Sequence, residues 1–222
     1  MSIAANYLLR VRLPDRPGVL GQVASALGST GADIDSVLVV DRTDGYAVDD
    51  LVVALPAGGL ADRLVSAATS VPGVVVEMVQ RHHGRRRIHD DLGLLDAAAS
   101  GDQPLSTLVD GLPALMQISY ALVVSTAGHR VGRLEAASSG APTEGLLGAW
   151  IPVDRPGPID ASSVWEDPAS AGPDVVLVAV PFGPVTALVA GRIGGPDFLP
   201  AELLRLGHLA RVAQAMLPVS YR

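Results

Sequence analysis

The segment Asp15-Arg16-Pro17-Gly18-Val19-Leu20 joins an alternating stretch to a helically spaced one. A turn of this kind can hold a small anion. The first amides of a helix have no intrahelical partners and carry partial positive charge, so they accept a carboxylate. Gly18 removes a side chain where a ligand would approach the backbone. Asp15 can pair with an ammonium group, and Arg16 adds positive charge for a carboxylate. A zwitterionic amino acid needs both partners together. The same residues also suit a purely structural role, with Asp15 capping the helix and Gly18 relieving steric strain.

Other chemistry-bearing residues assemble less well. His82, His83 and His89 surround the run Arg85-Arg86-Arg87. A His pair with an acid can bind zinc or nickel, but a structural site takes four rigidly held ligands, and no metal is expected in this charged stretch. The three arginines can grip a phosphate or simply solvate a connector. His129 falls in a turn and His208 on the last helix, as surface or packing residues. Trp150 and Trp165 can stack on a ligand or fill a core. No G-x-S-x-G elbow, H-E-x-x-H pair or G-x-G-x-x-G loop occurs, and a Walker A loop requires a lysine that the chain lacks. Asp49 and Asp50 are neighbours on a strand, point to opposite faces and cannot form a catalytic dyad. The expectation is a chain with no catalytic residues and no cofactor.

Composition sets the scale. The 222 residues are 49% hydrophobic and 18% charged, enough to fold two modest domains. All 16 basic residues are arginine, and the net charge of −7 argues against sequence-independent nucleic-acid binding. The absence of cysteine excludes disulfides, thiolate metal sites, iron–sulfur clusters and a catalytic thiol. The first residues lack a signal pattern, and no apolar run reaches about 18 residues. A soluble cytoplasmic protein with no membrane partner is the expectation.

The elements that must position the turn read as follows. Residues 7–13 alternate as a strand, with Arg10 and Arg12 on one face. From Val19 the apolar positions Val19, Leu20, Val23, Ala24 and Leu27 follow helical spacing, with Asp15 as N-cap and Gly31 as C′ residue. Strands follow at 33–41 and 46–55, joined by a turn with an Asp-Gly pair. A helix covers about 59–70 and a last strand runs over 74–79. The order β-α-β-β-α-β is the ferredoxin-like split unit. Residues 81–91 are strongly basic and read as a linker. Beyond them, helices at 92–100 and 104–116 precede strands at 118–126 and 130–138. A Gly/Pro/Ser/Asp-rich stretch fills 139–173, long enough to suggest a binding lid. A strand pair at 174–182 and 185–193 and a closing helix over 198–217 complete an α+β arrangement.

The run Asp15-Arg16-Pro17-Gly18-Val19-Leu20, its helix, Gly31-Ala32-Asp33-Ile34 and the following strands resemble an ACT domain over roughly residues 7–80. The resemblance implies that sheets of two such domains pair and that a small effector, often an amino acid, binds at the seam. It implies a ligand site of Asp15, Arg16, Pro17, Gly18, Val19 and Leu20, joined by Asp33 and Asp35 from a paired subunit. The second half resembles a GAF domain through its strand ending in Pro181, the hairpin at Gly183-Pro184 and the Phe198-x-Pro200-x-Glu202-Leu203-Leu204 entry into the last helix. Residues 139–173 depart from that family's pattern. The cyclic-nucleotide motif needs a lysine and bilin attachment a cysteine, so neither subgroup fits.

The expected fold is α+β, a ferredoxin-like βαββαβ domain followed by a GAF-like α+β domain with an antiparallel sheet and flanking helices. The expected boundaries are 1–80 for an ACT-like domain, 81–91 for the linker and 92–222 for a GAF-like domain. The expected function is regulatory sensing of an amino-acid effector by a homodimer. The alternative is a dimerisation or interaction module that binds no ligand and serves a partner enzyme or regulator.

Overall fold

Period-two alternation in the first half of the chain builds a sheet that is apolar on the face its helices cover. The computed structural model describes residues 5–43, 45–82, 90–126 and 131–216. The chain divides into two units, residues 1–87 and 88–222.

The first unit runs β1 (Ala5–Pro14), α1 (Val19–Gly28), β2 (Asp33–Thr43), β3 (Tyr46–Leu55), α2 (Ala61–Thr69) and β4 (Val75–Arg81). Its strands form one antiparallel sheet in the order β2-β3-β1-β4. Tyr7, Leu9, Val11 and Leu13 of β1 alternate onto one face and pack with Leu51, Val53 and Leu55 of β3. Val19, Val23 and Leu27 of α1 and Leu64 and Ala68 of α2 close that core. Arg10 and Arg12 share the opposite face, as their spacing requires. Arg10 is nonetheless buried, in a bidentate ion pair with Asp50. Arg12 bonds Glu77 at 3.1 Å and lies 5.4 Å from the Tyr46 ring centre.

Two local expectations are corrected. The N-cap of α1 is Gly18, not Asp15. The helix starts at Val19, so the capping position is 18, and glycine has no side chain to cap with. Asp15 instead donates its backbone N–H to the Gly45 carbonyl at 2.9 Å. At the other end Ser29 is the C-cap, and Gly31 lies two residues beyond it with φ 82°. Arg81 ends β4, and Asp90 and Asp91 open the next helix. The rest of the basic stretch, with His83, Arg85, Arg86, Arg87 and His89, lies outside the described residues, as does His129.

The second unit contains α3 (Asp90–Ser100), α4 (Pro104–Met116), β5 (Tyr120–Ser125), β6 (Arg133–Ala137), β7 (Gly157–Pro158), α5 (Ala161–Val164), a 3-10 turn at Pro168–Ala171, β8 (Val175–Gly183), β9 (Thr186–Ile193) and α6 (Pro200–Met216). Its strands make an antiparallel sheet in the order β6-β5-β9-β8-β7. Ala121 and Val123 of β5, Val180 and Phe182 of β8 and Leu188 and Ala190 of β9 face a core shared with α3, α4 and α6. The intervening residues Tyr120, Leu122, Val124, Leu177 and Val189 face a second core under the 139–173 segment. Helices therefore cover one face and a long connection covers the other. Arg192 pins the helix layer. Its guanidinium donates to the carbonyls of Met116 and Gln117 at 3.2 and 3.0 Å and to Glu202 at 2.8 Å. No described helix is long and apolar enough to cross a membrane.

Candidate ligand-binding site

The strand-to-helix turn is the best candidate, and it is built by backbone conformation. Pro14 ends β1, the Arg16 carbonyl accepts the Val19 N–H, and Gly18 turns the chain into α1 with φ 91°. That left-handed conformation favours glycine. A Cβ at Gly18 would meet nothing within 4 Å, so the space over the helix start is open. Asp15, Arg16, Pro17 and Gly18 are exposed, Leu20 is half-buried, and Val19 is buried into the core. The start of α1 carries no side-chain cap hydrogen bond, which suits it to a ligand carboxylate.

Asp33 and Asp35 lie elsewhere in the same chain. Asp33 sits opposite Ala54, whereas Pro14 sits opposite Tyr46. Eight residues of β3 separate those levels, about 27 Å at the usual strand rise. Both aspartates are exposed. One chain alone does not bring them to the turn.

Asp49 is excluded as a dyad partner of Asp50, yet it is a candidate in its own right. It pairs in register with Val11 and Val39, and its side chain therefore takes the helix-covered face of the sheet. It is 2% exposed, and its Oδ1 has no hydrogen-bond partner among the described residues. Burial pushes its carboxyl above the usual carboxylate range; Arg42 works against that shift, while Asp50 and Asp15 add to it. The signal was present in the sequence. Leu51, Val53 and Leu55 set the core phase of β3, and Asp49 stands two residues before them in the same phase.

β2 is an edge strand, and at its middle Val37, Leu38 and Val39 are 44, 43 and 44% exposed. Consecutive apolar residues on an open edge form a template for another strand.

In the second unit the tryptophans are core rather than lid. Trp165 is buried, meets Tyr120 edge to face at 6.4 Å and donates to the Pro142 carbonyl. Trp150 is half-buried and donates to the Leu147 carbonyl at 2.7 Å. An open groove between α3 and α6 is lined mainly by Leu92, Leu95, Leu204, Leu209 and Val212, with Arg205 bonded to Asp91. Among the described residues no group of three or more His, Cys, Asp or Glu could hold a metal ion.

Residues 7–73 match the family model of the ACT domain. This match lies within the first unit. The resemblance carried by the Asp15–Leu20 turn is thereby borne out. A comparison with curated proteins finds no match. Among solved structures, an ACT domain protein from Streptococcus pneumoniae is 20% identical, with 36% of this chain and 91% of that one covered and a TM-score of 0.31. The GAF domain of an Acinetobacter phosphoenolpyruvate-protein phosphotransferase is similar over 60% of this chain and 93% of that one, at 14% identity and a TM-score of 0.46. An unknown protein from Galdieria sulphuraria is similar over 96% of this chain and 94% of that one, at 16% identity and a TM-score of 0.33. As expected, the fold is α+β, with two antiparallel sheets and the ACT domain first.

Proposed function

We propose that the chain is a regulatory, non-catalytic protein that senses an amino acid at paired ACT domains. The observation that carries this reading is the uncapped start of α1 at Gly18, open to solvent and flanked by Asp15 and Arg16. Amides there receive the carboxylate of the effector, and acidic side chains receive its ammonium group.

Pairing follows from β2. Two copies joined antiparallel about Leu38, the middle of Asp33–Thr43, cover the exposed Val37, Leu38 and Val39 of both. That register sets Asp33 of one copy level with Thr43 of the other. Thr43 lies opposite Tyr46, and Tyr46 opposite Pro14. Asp33 and Asp35 thus reach the turn end of the sheet only from the other copy. Calorimetric titration of the full chain with each of the twenty standard amino acids tests the reading. Saturable binding of one amino acid, or of a few related ones, is expected; no binding by any of them overturns it.

A second reading applies to the GAF-like unit. Its space under the 139–173 segment is filled by Tyr120, Leu146, Ile151, Val164 and Trp165. That packing favours a scaffold that dimerises or docks a partner enzyme or regulator.

A further inference from the structure

We infer that Asp49 is the residue that recognises the positively charged nitrogen of the effector, from a buried position on the sheet face beneath the helix layer. The inference rests on the proposed effector site and names the group within it that sets ligand class. Three observations converge on Asp49. It occupies a core-phase position of β3, directly opposite Val11, whose neighbours pack against α1. It is 2% exposed, yet its Oδ1 has no hydrogen-bond partner among the described residues. A buried polar atom without a partner is costly, and a ligand donor is one way to satisfy it.

The surroundings decide which donor fits. Arg42 of β2, Asp50 of β3 and Asp15 of the turn are the charged groups that act on Asp49. Asp50 is held by Arg10 through two hydrogen bonds on the opposite face. Arg42 is the one cation among them, and the carboxylates of Asp50 and Asp15 cannot donate a hydrogen bond, so Oδ1 of Asp49 still calls for a donor. An ammonium group meets that demand and donates the missing hydrogen bond. A bare metal ion finds no group of three or more ligating residues among the described residues.

The test compares the full wild-type chain with Asp49→Asn and Asp49→Ser, which remove the charge in two ways. Each is titrated calorimetrically with the twenty standard amino acids, with methylammonium and with acetate. The inference expects an amino acid that binds the wild type to lose at least about tenfold in affinity in both variants, the cost of one charge-assisted hydrogen bond. Acetate should be unaffected. Equal amino-acid binding by wild type and both variants overturns the role of Asp49 and leaves the amino-acid site standing. Methylammonium binding that depends on Asp49, without binding of any amino acid, supports Asp49 and overturns the amino-acid reading. Failure of every probe on the wild type overturns both.

Discussion

Arg10 and Asp50 stand directly opposite one another on β1 and β3 and join through hydrogen bonds of 2.8 and 3.1 Å, each side chain 1% exposed. Removing one partner strips the other of both hydrogen bonds in a buried setting. Arg10→Ala or Asp50→Ala should each cost about 3–5 kcal/mol of stability in urea unfolding. Replacing both together with Met and Leu should cost much less, because an apolar pair needs no compensation. Arg12 and Glu77 make the contrasting pair, with side chains 42% and 22% exposed. Glu77→Gln should change stability by less than about 1 kcal/mol.

Asp49 gives a pH signature. Folding raises its pKa above the usual 3.8, so the folded chain holds that proton more tightly than the unfolded one. The resulting stability is fully present below about pH 3.8 and is lost as pH rises through the folded value. Asp49→Asn carries no charge to bury. Its melting temperature should exceed that of wild type at about pH 8, and the gap should close toward about pH 4. A constant difference across that range would remove the buried ionisation from the account.

The open edge of β2 predicts association. Leu38→Glu puts a charge at the centre of the proposed strand pairing, where it would face its own copy. In sedimentation velocity the variant should shift toward monomer at micromolar concentration, with an unchanged circular dichroism spectrum. Unaltered sedimentation would move the interface away from β2.

Gly191 packs directly against Tyr120 beneath the 139–173 segment. A Cβ there would stand 2.3 Å from the Tyr120 ring. Tyr120 donates to the Ala171 carbonyl at 2.9 Å and abuts Trp165. Gly191→Ala should displace the ring and destabilise the chain by about 1–3 kcal/mol or more, the usual cost of overpacking. A shift in tryptophan fluorescence at an unchanged urea midpoint would contradict that.

Most of the element order was legible in the sequence for a physical reason. Strands β1, β3, β8 and β9 alternate or run apolar, and α1 repeats its buried residues Val19, Val23 and Leu27 at helical spacing. The contiguous turn Asp15–Leu20 was also legible, because neighbours in sequence stay neighbours in space. The cap is the exception: Asp15 has the chemistry of a cap but lies outside the capping position that Gly18 occupies. The 139–173 segment hides a two-residue strand and a four-residue helix, too short for any period to register. Trp165 reads as a loop residue until the sheet face beneath it is built. Asp49 was hidden by its type rather than its position: an acid in a core phase invites the reading that the strand is exposed there, and only the burial of the carboxylate corrects it.

The central claim is that an amino acid binds where two ACT domains pair through β2. Sedimentation equilibrium of the full chain, alone and with an equimolar mixture of the twenty standard amino acids, tests it most directly. The account requires a dimer whose dissociation constant falls when the mixture is present, an effect that Leu38→Glu abolishes. A monomer under both conditions, or a dimer indifferent to the mixture, would contradict it.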